Sequence, residues 1–157
     1  MITVRLATMD DADAIARETS RIQELHNEAL PLMFKAPSAE LFPPRKLAAL
    51  IRESNSIVAI AEVDGKIVGH IYGGIVSRAE DEFSHAHSCI CIHQIGVDEE
   101  FRRKGVGAAL MAFIRDRART LGLTALQVDH WTFNTRAAAF FDACGFSPVK
   151  IVMRQAL

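Results

Sequence analysis

Five side chains able to bind a metal or move a proton, His85, His87, Cys89, Cys91 and His93, recur at every second position of one segment. In a regular strand all five lie on one face, because side chains alternate across it. Eight residue steps extend about 26 Å, so one ion cannot gather the row, although Cys91 and His93 could supply two ligands of a site completed from elsewhere. Imidazole also titrates near neutrality and can take a proton from an amine. The thiols have a plainer use as small buried apolar groups. Shortly after this row, EEFRRKGVGAAL sets Arg102, Arg103 and Lys104 directly before Gly105 and Gly107, where an apolar helix begins. The first turn of a helix leaves N–H groups without partners and carries partial positive charge. Glycines let an anion's oxygens approach that backbone closely, so a di- or polyphosphate suits the stretch. The alternative use of the same residues is a solvated charge run followed by a turn.

The elements that must position these groups can be read from periodicity and punctuation. Residues 2–6 alternate like a strand, and Thr8 to Asp11 offer capping side chains for a helix carrying Ile15, Ile22 and Leu25. A proline-rich loop follows, with Phe34 and Phe42, and then a helix near residues 47–52. Residues 56–62 and 67–76 are β-rich and flank Asp64-Gly65, a hairpin signal, and residues 87–97 form a further strand. From Gly105 to Gly122 the apolar positions Val106, Leu110, Phe113 and Ile114 share a helical face. A short strand at 125–128, a helix capped by Asn134 and a last strand around 149–153 complete the chain. The order β-α-α-β-β-β-α-β-α-β predicts one α/β domain over residues 1–157 with an antiparallel first half.

Composition removes several function classes. With 157 residues, 50% apolar and 24% charged, the chain is expected to fold as one core, and a net charge of −1 lacks the basic footprint of a nucleic-acid binder. No apolar run is long enough to cross a membrane, and the first residues do not read as a signal peptide. Three cysteines, an odd number without scaffold spacing, suit a cytoplasmic location.

Two nucleotide patterns fail on the glycine stretch. A Walker loop needs Lys and Ser or Thr directly after its last Gly, and the dinucleotide fingerprint needs Gly or Ala where Leu110 stands. What remains, Arg102-x-x-Gly105-x-Gly107 after a strand ending Ile95-Gly96-Val97, resembles the acetyl-CoA loop of the GNAT acetyltransferase superfamily. The stretch from Asn134 through Ala137, Phe140 and Phe141 to Gly145-Phe146 is similar to that family's second signature. The resemblance implies a GNAT-like mixed sheet and acetyl-CoA as cosubstrate. It places the coenzyme along Ile95, Gly96 and Val97, on Arg102, Arg103, Lys104, Gly105, Val106, Gly107 and Ala108, and beside Asn134 and Phe141.

The implied reaction passes the acetyl group directly to an amine acceptor in a ternary complex, since neither Cys89 nor Cys91 has an evident activating arrangement. His93 has the position and chemistry of the base, with a hydrogen-bonded core histidine as the alternative. Phe141 stands where many members have a tyrosine that protonates the leaving sulfur. Tyr72 is the only tyrosine, and from the third strand it would have to reach across. The resemblance assigns the acceptor to His26, Glu28 and Phe34, with Asp129 after the fifth strand, and allows a homodimer without marking an interface. A noncatalytic acyl-CoA-binding or regulatory domain and a metal-binding protein using the His/Cys row are the competing functions.

Overall fold

In the computed structural model, which describes residues 1–155, the first strand β1 (Ile2–Leu6) leads through a 3-10 turn into helix α1 (Ala12–Ala29). The Asp11 carboxylate organises that turn. It accepts the N–H of Thr8 at 2.7 Å and its hydroxyl at 3.0 Å, and it is gripped by Arg5 at 2.8 and 3.0 Å. Helix α2 (Pro44–Arg52) starts on a proline, whose missing N–H costs nothing in a first turn. Strands β2 (Ser56–Val63) and β3 (Lys66–Arg78) follow as a hairpin. Asp64 and Gly65 at its tip have φ of 51° and 77°, the left-handed pair that a two-residue turn requires.

Strand β4 (His87–Val97), helix α3 (Val106–Thr120), strand β5 (Leu126–Val128) and helix α4 (Thr135–Ala143) complete the regular structure. The sheet runs β1-β2-β3-β4-β5, antiparallel except for the parallel β4–β5 pair. Strand β2 is apolar at consecutive positions because both of its faces are covered. Ala59 and Ala61 meet Val106, Leu110, Met111 and Ile114 of α3 in one core, while Val58 and Ile60 meet Ile15 of α1 and Leu47 of α2 in the other.

Two sequence expectations need correction. The last strand, expected around 149–153, does not form, and the chain after α4 has no strand or helix through residue 155. A strand exists only by pairing, and this segment pairs with nothing among the described residues. The second concerns the alternating His/Cys row. Tyr72 pairs with Gln94 and Gly73 with Ile92, so His93 is an extra residue in β4 opposite no partner. This bulge reverses the alternation. Cys89 and Cys91 precede it in one parity, whereas Gln94 and Gly96 follow it in the other, turned toward His70 and α1.

Candidate active site

Strand β5 stays beside β4 only over Ile90, Cys91 and Ile92, so from His93 onward β4 has an edge without a strand neighbour among the described residues. The orientation of that edge follows from one hydrogen bond. Asp98 donates its N–H to Val68 O at 2.9 Å, toward β3, and strand alternation turns the N–H groups of Val97 and Ile95 the opposite way, toward the open edge. Unpaired amides on an exposed edge are ready donors for an extended ligand.

The edge runs into the start of α3. Gly105 is the residue before the helix, with φ of 88°, a left-handed conformation that glycine adopts at least cost. No side chain caps this terminus, and its first turn holds no acidic residue. The N–H groups of Val106, Gly107 and Ala108 are therefore available to an anion, since the helical ladder begins with Ala109 donating to Gly105 O at 3.0 Å. Arg103 is also left-handed, at φ of 58°, a conformation uncommon for a side chain of its size. Arg102 is partly committed to the loop itself, donating from Nε to Val97 O at 3.3 Å and from Nη1 to Glu99 at 2.9 Å. Arg103 and Lys104 are exposed. An uncapped helix terminus that follows Arg102, Arg103 and Lys104 in the chain suits the diphosphate of a coenzyme.

Gly107 also has a packing use that the sequence does not suggest. A Cβ there would lie 3.0 Å from Cε2 of Phe140, so the missing side chain makes room for an α4 aromatic ring. Asn134 likewise spends its Oδ1 as the α4 cap, accepting the N–H of Ala137 at 3.0 Å. Phe141 is buried between Phe140 and Phe146, with the His130 ring stacked at 6.3 Å.

At the bulge, His93 is exposed and its ring lies 5.0 Å from that of Tyr72. The β3–β4 pairing thus brings the tyrosine next to the histidine without any reach across the sheet. Burial, and then the nearby Glu53 carboxylate, pushes the Tyr72 phenol above its ordinary pKa, so it remains a proton donor at neutral pH. Burial also raises the Cys91 thiol, helped by Cys89 and Asp129, which disfavours the nucleophilic thiolate. Among the described residues, no three His, Cys, Asp or Glu side chains form a group able to hold a metal ion.

Behind the bulge lies a polar group that the sequence reading did not single out. His70, fully buried, donates Nε2–H to Gln94 Oε1 at 2.8 Å, and Thr19 of α1 donates to the same oxygen at 2.9 Å. Burial lowers the His70 pKa and keeps the ring neutral, and its Nδ1 has no partner. Gly96 leaves space for it, since a Cβ there would stand 2.7 Å from His70 Cε1. A histidine and a glutamine inside apolar strand patterns were the available signal.

The segments expected to receive an acceptor do meet. His26, at the end of α1, stacks edge-on with Phe34 at 4.9 Å and Phe133 at 5.6 Å, and Phe34 meets Trp131 at 5.1 Å. His26 Nδ1 donates to Ile22 O at 2.7 Å, which fixes the ring and leaves Nε2 as the other nitrogen. Glu28 and Asp129 are exposed, and neither makes a side-chain hydrogen bond or ion pair among the described residues.

The sequence pattern of the acetyltransferase (GNAT) family matches residues 19–146, more than half of the chain. The chain belongs to the GNAT family. Its α/β fold is that of the solved GNAT structures it resembles. A mutant of the BH1408 protein from Bacillus halodurans superposes with a TM-score of 0.94 at 23% identity, covering 99% of both chains. An aminoglycoside acetyltransferase, meta-AAC0020, from an uncultured soil metagenomic sample superposes with a TM-score of 0.66 at 19% identity, over 99% of this chain and 95% of that one. In sequence, this GNAT chain is 29% identical over 92 residues to the L-2,4-diaminobutyric acid acetyltransferase of Nocardia farcinica (strain IFM 10152). That match covers 59% of the chain and 44% of the relative, so the chain spans under half the length of the curated relative it matches. No helix of this GNAT chain, among the described residues, is long and apolar enough to cross a membrane.

Proposed function

We propose that the chain is an acetyl-CoA-dependent N-acetyltransferase that passes the acetyl group directly to an amine acceptor. The observation that carries this reading is the continuity of donors from the open β4 edge, through the Ile95 and Val97 amides, to the uncapped start of α3 behind Gly105. An extended thioester arm suits the first and a diphosphate the second. When bound, the coenzyme supplies the acetyl group as a thioester and leaves as a thiol.

The chain's own residues have two tasks. His93, exposed at the bulge, takes a proton from the acceptor's ammonium so that the free amine attacks the thioester carbonyl, and as the C–S bond breaks Tyr72 beside it gives a proton to the leaving sulfur, the role that Phe141 cannot fill. Cys89 is buried and Cys91 has a raised pKa, which supports direct attack over an acyl-cysteine intermediate. The His26, Phe34, Phe133 and Trp131 rings form a wall for the acceptor's apolar part, and exposed Glu28 and Asp129 favour a cationic amine. Two relatives are named for diaminobutyric acid and for aminoglycosides, compounds that carry amines of that kind. A cytoplasmic location fits this coenzyme.

Calorimetric titration with acetyl-CoA, with ATP and NAD as controls, tests the coenzyme assignment. Saturable binding of acetyl-CoA alone is the expected result, and no binding refutes it. Thiol release on addition of 2,4-diaminobutyrate or an aminoglycoside then tests turnover. His93→Ala is expected to lower kcat by about 10²–10⁴-fold near neutral pH, as for loss of a general base, while coenzyme affinity stays within about twofold. An unchanged pH–rate profile removes His93 as the base.

A further inference from the structure

The bulge at His93 decides which face of β4 each later side chain takes. Before it, Ile90 and Ile92 lie in the core that α3 covers, and after it Ile95 and Val97 pack on that same core although the parity has changed. Without the extra residue Gln94 would stand in line with Ile90 and Ile92, an amide among apolar side chains. In the bulged register it faces α1 instead, where its Oε1 accepts from His70 Nε2 at 2.8 Å and from Thr19 Oγ1 at 2.9 Å. Both partners are buried, and the Thr19 bond is the only hydrogen bond from α1 to a strand among the described residues.

The neighbouring strand is shaped to the same register. Gly73 and Gly74 of β3 pair with Ile92 and Cys91, directly before the bulge. A Cβ on Gly73 would stand 2.8 Å from Cys91 O, and one on Gly74 would stand 3.4 Å from His93 Nε2. The bare backbone at Gly74 is therefore a floor under the His93 ring, and Tyr72, two residues earlier on the same face, flanks that ring at 5.0 Å.

We propose that His70, Gln94 and Thr19 are positioning residues for acetyl transfer: their hydrogen bonds hold the bulge in the register that sets His93 beside Tyr72, and they tie that bulge to α1, the helix that carries His26. The inference rests on His93 as the base. Both bonds exist in one register only, so a one-residue slip of β4 breaks them and buries an unpartnered amide. The arrangement also accounts for a fully buried histidine whose Nδ1 has no partner, since its other nitrogen fixes Gln94. Thr19 and His26 stand seven residues apart on α1, close to two turns, and share a face. The bond that steadies the base thus also fixes the acceptor wall relative to it.

Tyr72 is the only tyrosine in the chain, so a tyrosine-labelled sample reports on the ring contact without ambiguity. A nuclear Overhauser contact between the Tyr72 ring and the His93 imidazole, identified by its loss in His93→Ala, is expected in the wild type. Gln94→Met, which keeps the length but not the acceptor, is expected to abolish it. Thr19→Val is expected to weaken it, and Thr19→Ser, which keeps the hydroxyl, to preserve it. Should Gln94→Met fail to fold, the two Thr19 variants carry the test. In thiol release with 2,4-diaminobutyrate as the probe amine, Gln94→Met is expected to lower kcat about 10–100-fold, with the KM for acetyl-CoA within about twofold. In the His93→Ala background the same substitution is expected to lower kcat by less than about twofold. A ring contact that survives in Gln94→Met and Thr19→Val, or an equal loss of kcat in both backgrounds, overturns the inference and leaves His93 as the base. A wild-type kcat in His93→Ala refutes the base and the inference with it, and a wild type without the ring contact refutes the pairing of His93 with Tyr72 on which the inference stands.

Discussion

Replacing Gly107 with alanine places a Cβ 3.0 and 3.1 Å from Cε2 and Cζ of Phe140, where relaxed carbon contacts stand about 3.5–4.0 Å apart. The ring has little room to retreat, because Phe140 packs edge-on against buried Phe141 at 5.4 Å and Phe141 against Phe146 at 5.6 Å. Overpacking of this kind costs about 1–3 kcal/mol, while alanine gains up to about 1 kcal/mol over glycine in a helix. The expected net loss is about 1 kcal/mol, or a Tm lower by about 2–4 °C for a chain of this size. A net value that small is ambiguous alone, so the assay is a double-mutant cycle by urea unfolding. In the background of Phe140→Leu, whose side chain lacks the offending ring atoms, Gly107→Ala is expected to become neutral or stabilising, with a coupling of about 1–2 kcal/mol. An equal effect in both backgrounds, within about 0.5 kcal/mol, refutes the packing role. A change confined to the KM for acetyl-CoA would assign Gly107 to anion approach alone.

Asp11 makes stability sensitive to acid. The hydrogen bonds from Arg5, aided by those of Thr8, hold its pKa down to about 2, from an ordinary 3.8, against the opposing effect of burial. A carboxylate with a depressed folded-state pKa contributes stability that is complete above the unfolded value and is lost as pH falls from about 3.8 toward 2. With the Arg5 side chain 39% exposed and partly screened, the contribution is about 1–2 kcal/mol. Urea unfolding between pH 2 and 7 should show Asp11→Asn removing that part of the acid dependence, and identical wild-type and variant slopes would refute it. Gly96→Ala pushes a Cβ to 2.7 Å from the buried His70 ring, and a loss of about 1–3 kcal/mol is expected. A Tm within 1 °C of wild type would show that the ring can move aside.

Most of the architecture was legible in the chain because local signals agreed with the final packing. The Asp64-Gly65 turn, the 3.6-residue apolar stripe of α3 and the Asn134 cap each act within a few residues, and each occurs where its pattern placed it. The strand at 149–153 shows the converse. Its apolar, β-branched character is plain in the sequence, yet a strand needs a partner, and the segment pairs with none among the described residues.

By itself the sequence determined the family-like glycine loop, the helix that follows it and the residue types able to move protons. These depend on spacing along one element. Only the tertiary structure decided how His93 is presented. A regular strand would have kept it in line with Cys89 and Cys91, but the register shift against Gly73 and Tyr72 makes it an unpaired bulge residue with Tyr72 beside it. Register is a relation between two strands that are far apart in the chain, so no single-strand pattern contains it. The same holds for the contact between Gly107 and a ring 33 residues later, and for the His70, Gln94 and Thr19 group, which three separate elements assemble. Long-range packing assigns these residues their roles because the space and the partners they use exist only after the elements have met.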